Sequence, residues 1–130
     1  MEKMRNLIVG LCLLIATVTS QGCVLLAGAA VGAGGYAFAT GSLSKNLDAT
    51  TETVHKASLK GLEDLRAIVI SEDLSSLKSE IHAEGEDGKK ISINIESLTE
   101  QASKIKIRVG TIGNESDSLR VLKAITNRIK

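Results

Sequence analysis

The side chains able to do chemistry are few in this 130-residue chain. Two thiols, Cys12 and Cys23, lie within or just after an apolar N-terminal run, and two histidines, His55 and His82, stand in the charged part that follows. His82 stands two residues from both Glu80 and Glu84, which sets three metal donors on one face of a strand. A solvated strand face gives the same pattern with no ligand role, so no metal and no cofactor are expected. Glu63-Asp64 and Glu72-Asp73 could act as acid and base only if their surroundings drove the two pKa values apart, and nothing in the flanking residues buries either pair. The serines, Ser75-Ser76 among them, have no His or Lys at nucleophile spacing. The glycines of Gly28–Gly35 lack the Lys-Ser/Thr that closes a phosphate loop. No enzyme is expected.

Cys23 is the residue whose surroundings say most. Lys3 and Arg5 form a cationic head, Asn6–Val18 is almost unbroken hydrocarbon, and Thr19-Ser20-Gln21-Gly22 brings small or uncharged residues up to the thiol. That order is a secretory signal. A cysteine placed where the mature chain would start resembles the lipobox of bacterial lipoproteins, in which the thiol is diacylated before cleavage. Gly22 fits that box, Gln21 belongs to relaxed versions of it, and Ser20 stands where an aliphatic residue is usual. The resemblance implies a signal peptide over residues 1–22, lipidation at Cys23, and a lipid-anchored chain on the outer face of a bacterial membrane. Leu7–Ala39 is also long enough for an uncleaved anchor or a hairpin, since about 20 apolar residues span a bilayer. The glycines of Val24–Ala39 lower its helix propensity, and Gly28 and Gly32 form one small-residue pair of the kind that packs membrane helices. Whether residues 24–39 insert is left open. In the sorting rule of enteric bacteria, Asp after the lipidated cysteine retains a protein at the inner membrane. Val24 occupies that place, so the outer membrane, periplasmic side, is expected.

The elements that would carry these residues begin after the Gly/Ala-rich stretch, with residues 23–40 as a lipidated tether and residues 41–130 as one globular domain. Once Glu2, Lys3 and Arg5 leave with the leader, acidic and basic side chains balance. That speaks against nucleic acid, which calls for a basic face. With aromatics at 2% and no tryptophan or proline, the core must be aliphatic and stacking platforms are excluded. Losing Cys12 and acylating Cys23 leaves no disulfide, so an ordinary apolar core must hold the domain.

Gly41–Ala49 reads as a first strand. Val54, Ala57, Gly61 or Leu62, and Leu65 recur at helical spacing behind a Thr50 or Thr51 cap, giving an amphipathic helix over Thr51–Leu65. Ala67–Ile70 is a β-branched run suited to a buried strand. Leu77, Ile81 and Ala83 alternate with charged residues through Leu77–Glu86; Ile91, Ile93 and Ile95, then Ile105, Ile107 and Val109, do the same. Asp87-Gly88 marks a hairpin whose central residues would both take positive φ. Gly110 and Gly113 end the last strand in a turn. Asn114, with Asp117 three residues on, caps a terminal helix running to the end of the chain, faced by Leu119, Leu122, Ile125 or Thr126, and Ile129. The order β-α-β-β-β-β-α predicts an α+β fold, an antiparallel sheet with both helices on one face.

The series Gly22-Cys23, a Gly/Ala-rich run to Tyr36-Ala37, Gly41-x-Leu43, Asp87-Gly88-Lys89-Lys90 and Ile107–Gly113 is similar to a family of small bacterial lipoproteins of unknown function. The resemblance implies location and domain type and brings no activity, cofactor or catalytic residue. Two functions follow as expectations: a lipid-anchored interaction or structural module of the cell envelope, bound to the membrane through its lipid and to an envelope protein through a charged sheet face or an exposed edge; or, as the alternative, a small carrier of a lipid or metabolite.

Overall fold

A computed structural model describes residues 2–4, 6 and 35–129. The chain divides into a unit Met1–Gly35 and a unit Tyr36–Lys130, and the fold is that of the second. Cys12, Cys23, the signal peptide over residues 7–22 and most of the expected tether lie outside the described residues.

The elements are β1 (Ala37–Ala39), β2 (Ser42–Leu47), α1 (Thr51–Asp64), β3 (Ile68–Leu74), β4 (Lys78–Glu84), β5 (Lys90–Thr99), β6 (Ala102–Val109) and α2 (Glu115–Thr126). One antiparallel sheet runs β1-β2-β6-β5-β4-β3. This is the expected α+β architecture with one strand added. β1 falls inside the stretch read as tether; three residues of Ala and Phe are too few for any period to register, and they are held by pairing with β2 across the Thr40-Gly41 turn.

The period-2 reading is realised in the three central strands. Ile81, Ile93, Ile95, Ile105 and Ile107 are 0% exposed, and Ile81↔Ile93↔Ile107↔Leu43 form one row across the sheet. Val54 and Leu62 of α1, with Val121, Leu122 and Ile125 of α2, close over that face. Burying each Ile or Leu stabilises the fold by roughly 1.5–3 kcal/mol, so this aliphatic row does the work that aromatics do elsewhere. Lys104, Lys106, Arg108, Glu80, His82 and Glu84 face away from the helices and are partly or fully exposed.

The helices start where their caps dictate. Thr50 Oγ1 accepts from the Thr53 amide at 3.1 Å, and Asn114 Oδ1 accepts from the Asp117 amide at 2.9 Å, each satisfying an orphan donor of the first turn. α1 ends in a left-handed cap at Arg66 (φ 57°), with the Ala67 amide donating to Leu62 O and the Arg66 amide to Glu63 O, both at 2.9 Å. α2 ends at Thr126 rather than running to the end of the chain.

Three local expectations are corrected. The Ala67–Ile70 run does form a strand, but an exposed one: all seven residues of β3 are exposed because β3 is the sheet's outermost strand. A β-branched run reports strand propensity and carries no information on lateral position. Leu77, expected on the apolar face, is 70% exposed and precedes β4; the inward place next to Ile81 is taken by Ser79. In the β4–β5 hairpin only Gly88 has positive φ (79°). The Gly88 amide donates to Gly85 O and the Gly85 amide to Lys89 O, both at 2.9 Å, a three-residue loop in which Asp87 keeps a negative φ and only the glycine takes a positive one.

Candidate functional site

The residues singled out for chemistry are placed as follows. His82 Nε2 lies 3.0 Å from Glu80 Oε1 on the open sheet face, where Glu84 pairs across to Lys90 and Ile68. Among the described residues no three His, Cys, Asp or Glu side chains converge as metal donors. Asp64 takes a two-pronged hydrogen bond from Arg128, 2.7 Å from Nε and 2.6 Å from Nη2, while the neighbouring Glu63 is exposed. The guanidinium holds the Asp64 carboxyl below the usual carboxylate range. Ser75 Oγ donates to Lys78 O and accepts from the Lys78 amide, closing the β3–β4 turn. Gly113 (φ 91°) lies against the Gly41 carbonyl with no room for a Cβ, locking the β6–α2 turn onto the β1–β2 turn. Glu72 and Asp73 point to opposite faces: Asp73 pairs with Glu80 and Glu72 with Ile81.

Glu72 belongs to a cluster that no sequence spacing announces. α1 presents His55, with Val54 and Ser58, on its buried face. β4 turns Ser79 inward in line with Ile81 and Ala83. His55 Nδ1 sits 2.7 Å from Ser79 Oγ, and His55 Nε2 sits 3.2 Å from Glu72 Oε2. The carboxylate favours the proton on Nε2, which leaves Nδ1 to accept from the serine hydroxyl. Serine, histidine and carboxylate in this order are the members of a hydrolytic triad, yet the exposures run the wrong way for one. Ser79 is 1% exposed, whereas the Glu72 side chain is 49% exposed. A nucleophile must be open to a carbonyl carbon, and here it is the most covered of the three. What the cluster does is tie the outermost strand to α1 through polar contacts under the sheet edge. Two signals bear on it beforehand: the inward parity of Ser79, and the i, i+4 step from Val54 to Ser58 that puts His55 on the same side. Glu72 escapes both, because its facing depends on the register shift between Val69 and Ser71.

The edge above this cluster is the largest departure from a quiet surface. Ile68 is 72%, Val69 37% and Ile70 62% exposed. They are flanked by Arg66, whose side chain is 80% exposed and reaches Glu86 only at 3.8 Å, and by Glu72 and Asp73. The opposite edge, β1, has three residues against seven here. Short edges, charges and bulges are the usual guards against strand addition. β3 carries a bulge at Ile70, but its first three residues are apolar, so the guard is partial.

On the hairpin side, Lys89 Nζ joins Asp117 at 2.7 Å and Asp87 at 3.5 Å. Asp117 raises the lysine's pKa, and the Lys89 amide is the first cause of the lowered Asp87 pKa. These pairs are exposed and brace the hairpin against α2 rather than frame a reaction centre. Among the described residues no helix is long and apolar enough to cross a membrane.

No curated protein matches this sequence. A family model described as protein of unknown function (DUF3568) matches residues 6–128, nearly the whole chain, and the chain therefore belongs to that family.

Proposed function

We propose that this protein is a lipid-anchored lipoprotein of the bacterial cell envelope whose folded domain is a non-catalytic interaction module. The observation that carries the anchoring half is Gly22-Cys23, placed directly after a cationic head and an apolar run. Lipid on Cys23 would hold the domain at the outer membrane, on its periplasmic side, with Val24 in the sorting position. The module half rests on β3: a seven-residue edge strand that opens with three exposed β-branched residues is a template for pairing with another chain. The carrier reading is less supported, because the middle of the sheet–helix layer, where an apolar ligand would lie, is occupied by Leu43, Ile81, Ile93, Ile105 and Ile107, all 0% exposed.

Metabolic labelling with palmitate tests the anchoring half. The proposal expects label in the wild type and none in Cys23→Ser. Label that persists in Cys23→Ser, or a wild type that takes up none, contradicts it.

A further inference from the structure

Three leucines meet water at one end of the sheet. Leu74, Leu77 and Leu98 are 42%, 70% and 48% exposed, and they border one cleft of about 780 Å³ beside the start of α1. Backbone bonds hold them together: the Ser75 amide donates to Lys78 O and the Ser97 amide to Leu77 O, both at 2.8 Å. The β3–β4 turn is thereby tied to the end of β5. Bulky apolar side chains gathered at an exposed end mark a contact with something outside the domain.

The direction of the chain points to what that contact is. Leu47, Ser103 and Ser97 form one row across β2, β6 and β5, so β2 finishes at the leucine end. β1 is antiparallel to β2, with Ala37 opposite Ser44 and Ala39 opposite Ser42. The chain therefore enters β1 from the leucine side and travels away from it. Tyr36 follows Cys23 by 13 positions, a stretch that spans at most about 45 Å. Lipid on Cys23 would keep the domain close to the bilayer on a leash that feeds in from the leucine end.

We infer that this end of the domain rests on the membrane, with Leu74, Leu77 and Leu98 entering the surface of a zwitterionic bilayer and the strands standing away from it. This rests on reading Cys23 as the anchor and adds the orientation of the anchored domain. The charged residues lining the cleft are Glu52 and Glu100, and Glu52 already holds Lys56 at 2.7 Å. Among the described residues no lysine or arginine lines it, so nothing there recruits anionic headgroups. The attraction is that of apolar area alone. Three leucines are too few to hold a free domain on lipid, and they suffice once an anchor supplies the effective concentration. Ile68 lies at the far end of the seven-residue β3, about 20 Å along the strand from Leu74. The apolar β3 edge thus stays clear of the headgroups and open to a protein partner.

The test uses the full chain, purified from membranes and reconstituted in phosphatidylcholine vesicles, with an environment-sensitive fluorophore on one introduced cysteine at a time. Probes at Leu77→Cys and Leu98→Cys are expected to shift to the blue and to be quenched by spin labels on the acyl chains. Ile112 is 87% exposed and precedes Gly113, which packs on Gly41 at the opposite end of the sheet. A probe at Ile112→Cys is expected to emit as in water. Leu77→Glu, at the most exposed of the three leucines, should remove the quenching at position 98 and leave the melting transition unchanged. Adding phosphatidylglycerol should lower that quenching, because Glu52 and Glu100 meet like charge. Quenching at position 112 equal to that at 77, no quenching at 77 and 98, quenching at 98 that survives Leu77→Glu, or a rise with anionic lipid overturns the inference. Flotation separates this from the anchoring claim. A chain that floats with the vesicles while its probes at 77 and 98 stay in water keeps its anchor and loses this orientation. A chain that does not float loses both.

Discussion

His55 on α1 and Ser79 on β4 meet at 2.7 Å beneath the outermost part of the sheet, and through Glu72 that contact reaches β3. Ser79→Ala leaves a buried imidazole nitrogen without its partner, which destabilises by about 1–3 kcal/mol. The effect should concentrate at the edge. Hydrogen exchange is expected to quicken across Ile68–Leu74 more than in β5 or β6, and equal protection losses in all strands would show that the cluster does not serve β3.

The two faces of the sheet should answer substitution differently. Ile93→Asp and Ile107→Asp place a carboxylate where the native side chain is 0% exposed, and burial of an unpaired charge costs several kcal/mol. Both variants are expected to be unfolded. Asn94→Asp and Lys106→Glu lie on the other face and should stay within about 0.5 kcal/mol of wild type. Thermal melts followed by circular dichroism distinguish the two sets.

Gly61 lies where α1 crosses α2. A Cβ there would stand 2.9 Å from the Ile125 nitrogen and 3.0 Å from the Ala124 carbonyl carbon, both backbone atoms. In an isolated helix Gly→Ala gains about 1 kcal/mol; here, forcing two helices apart costs roughly 1–3 kcal/mol and outweighs that gain. Gly61→Ala is therefore expected to lower the denaturant midpoint, and a raised midpoint would mean that the helices separate freely.

Asp64 and Arg128 join the end of α1 to the residues just after α2. Because the hydrogen-bonded guanidinium lowers the folded-state pKa of Asp64, the pair contributes stability above the carboxylate's unfolded pKa and loses it as pH falls through the lower folded value. Asp64→Asn should melt below wild type at neutral pH, and the gap should close on acidification. A gap that widens in acid would reverse the sign of the linkage.

Much of the fold was legible because Ile91, Ile93 and Ile95 of β5 and Ile105, Ile107 and Val109 of β6 keep a strict period of two, and because Asn114 and the Thr50-Thr51 pair signal helix starts. What stayed hidden has specific causes. β1 is three residues long and contains no alternation. The exposure of β3 depends on its being last in the strand order, a property of topology that Ile68-Val69-Ile70 does not encode. The polar cluster joins residues 17 and 24 positions from His55; Ser79 could be inferred to face inward, but pairing it with that histidine needs the helix placed over β4. Glu72 needs a bulge as well. Cys23, by contrast, is legible only in sequence, since it lies outside the described residues.

The account turns on that cysteine, and the most direct measurement is the intact mass of the protein isolated from membranes. The predicted result is a chain beginning at Cys23 and carrying the added mass of acyl chains, with Cys23→Ser losing that mass while Tyr36–Lys130 gives the same melting transition. A mature chain beginning at Met1, or one beginning at Cys23 without added lipid mass, would contradict it.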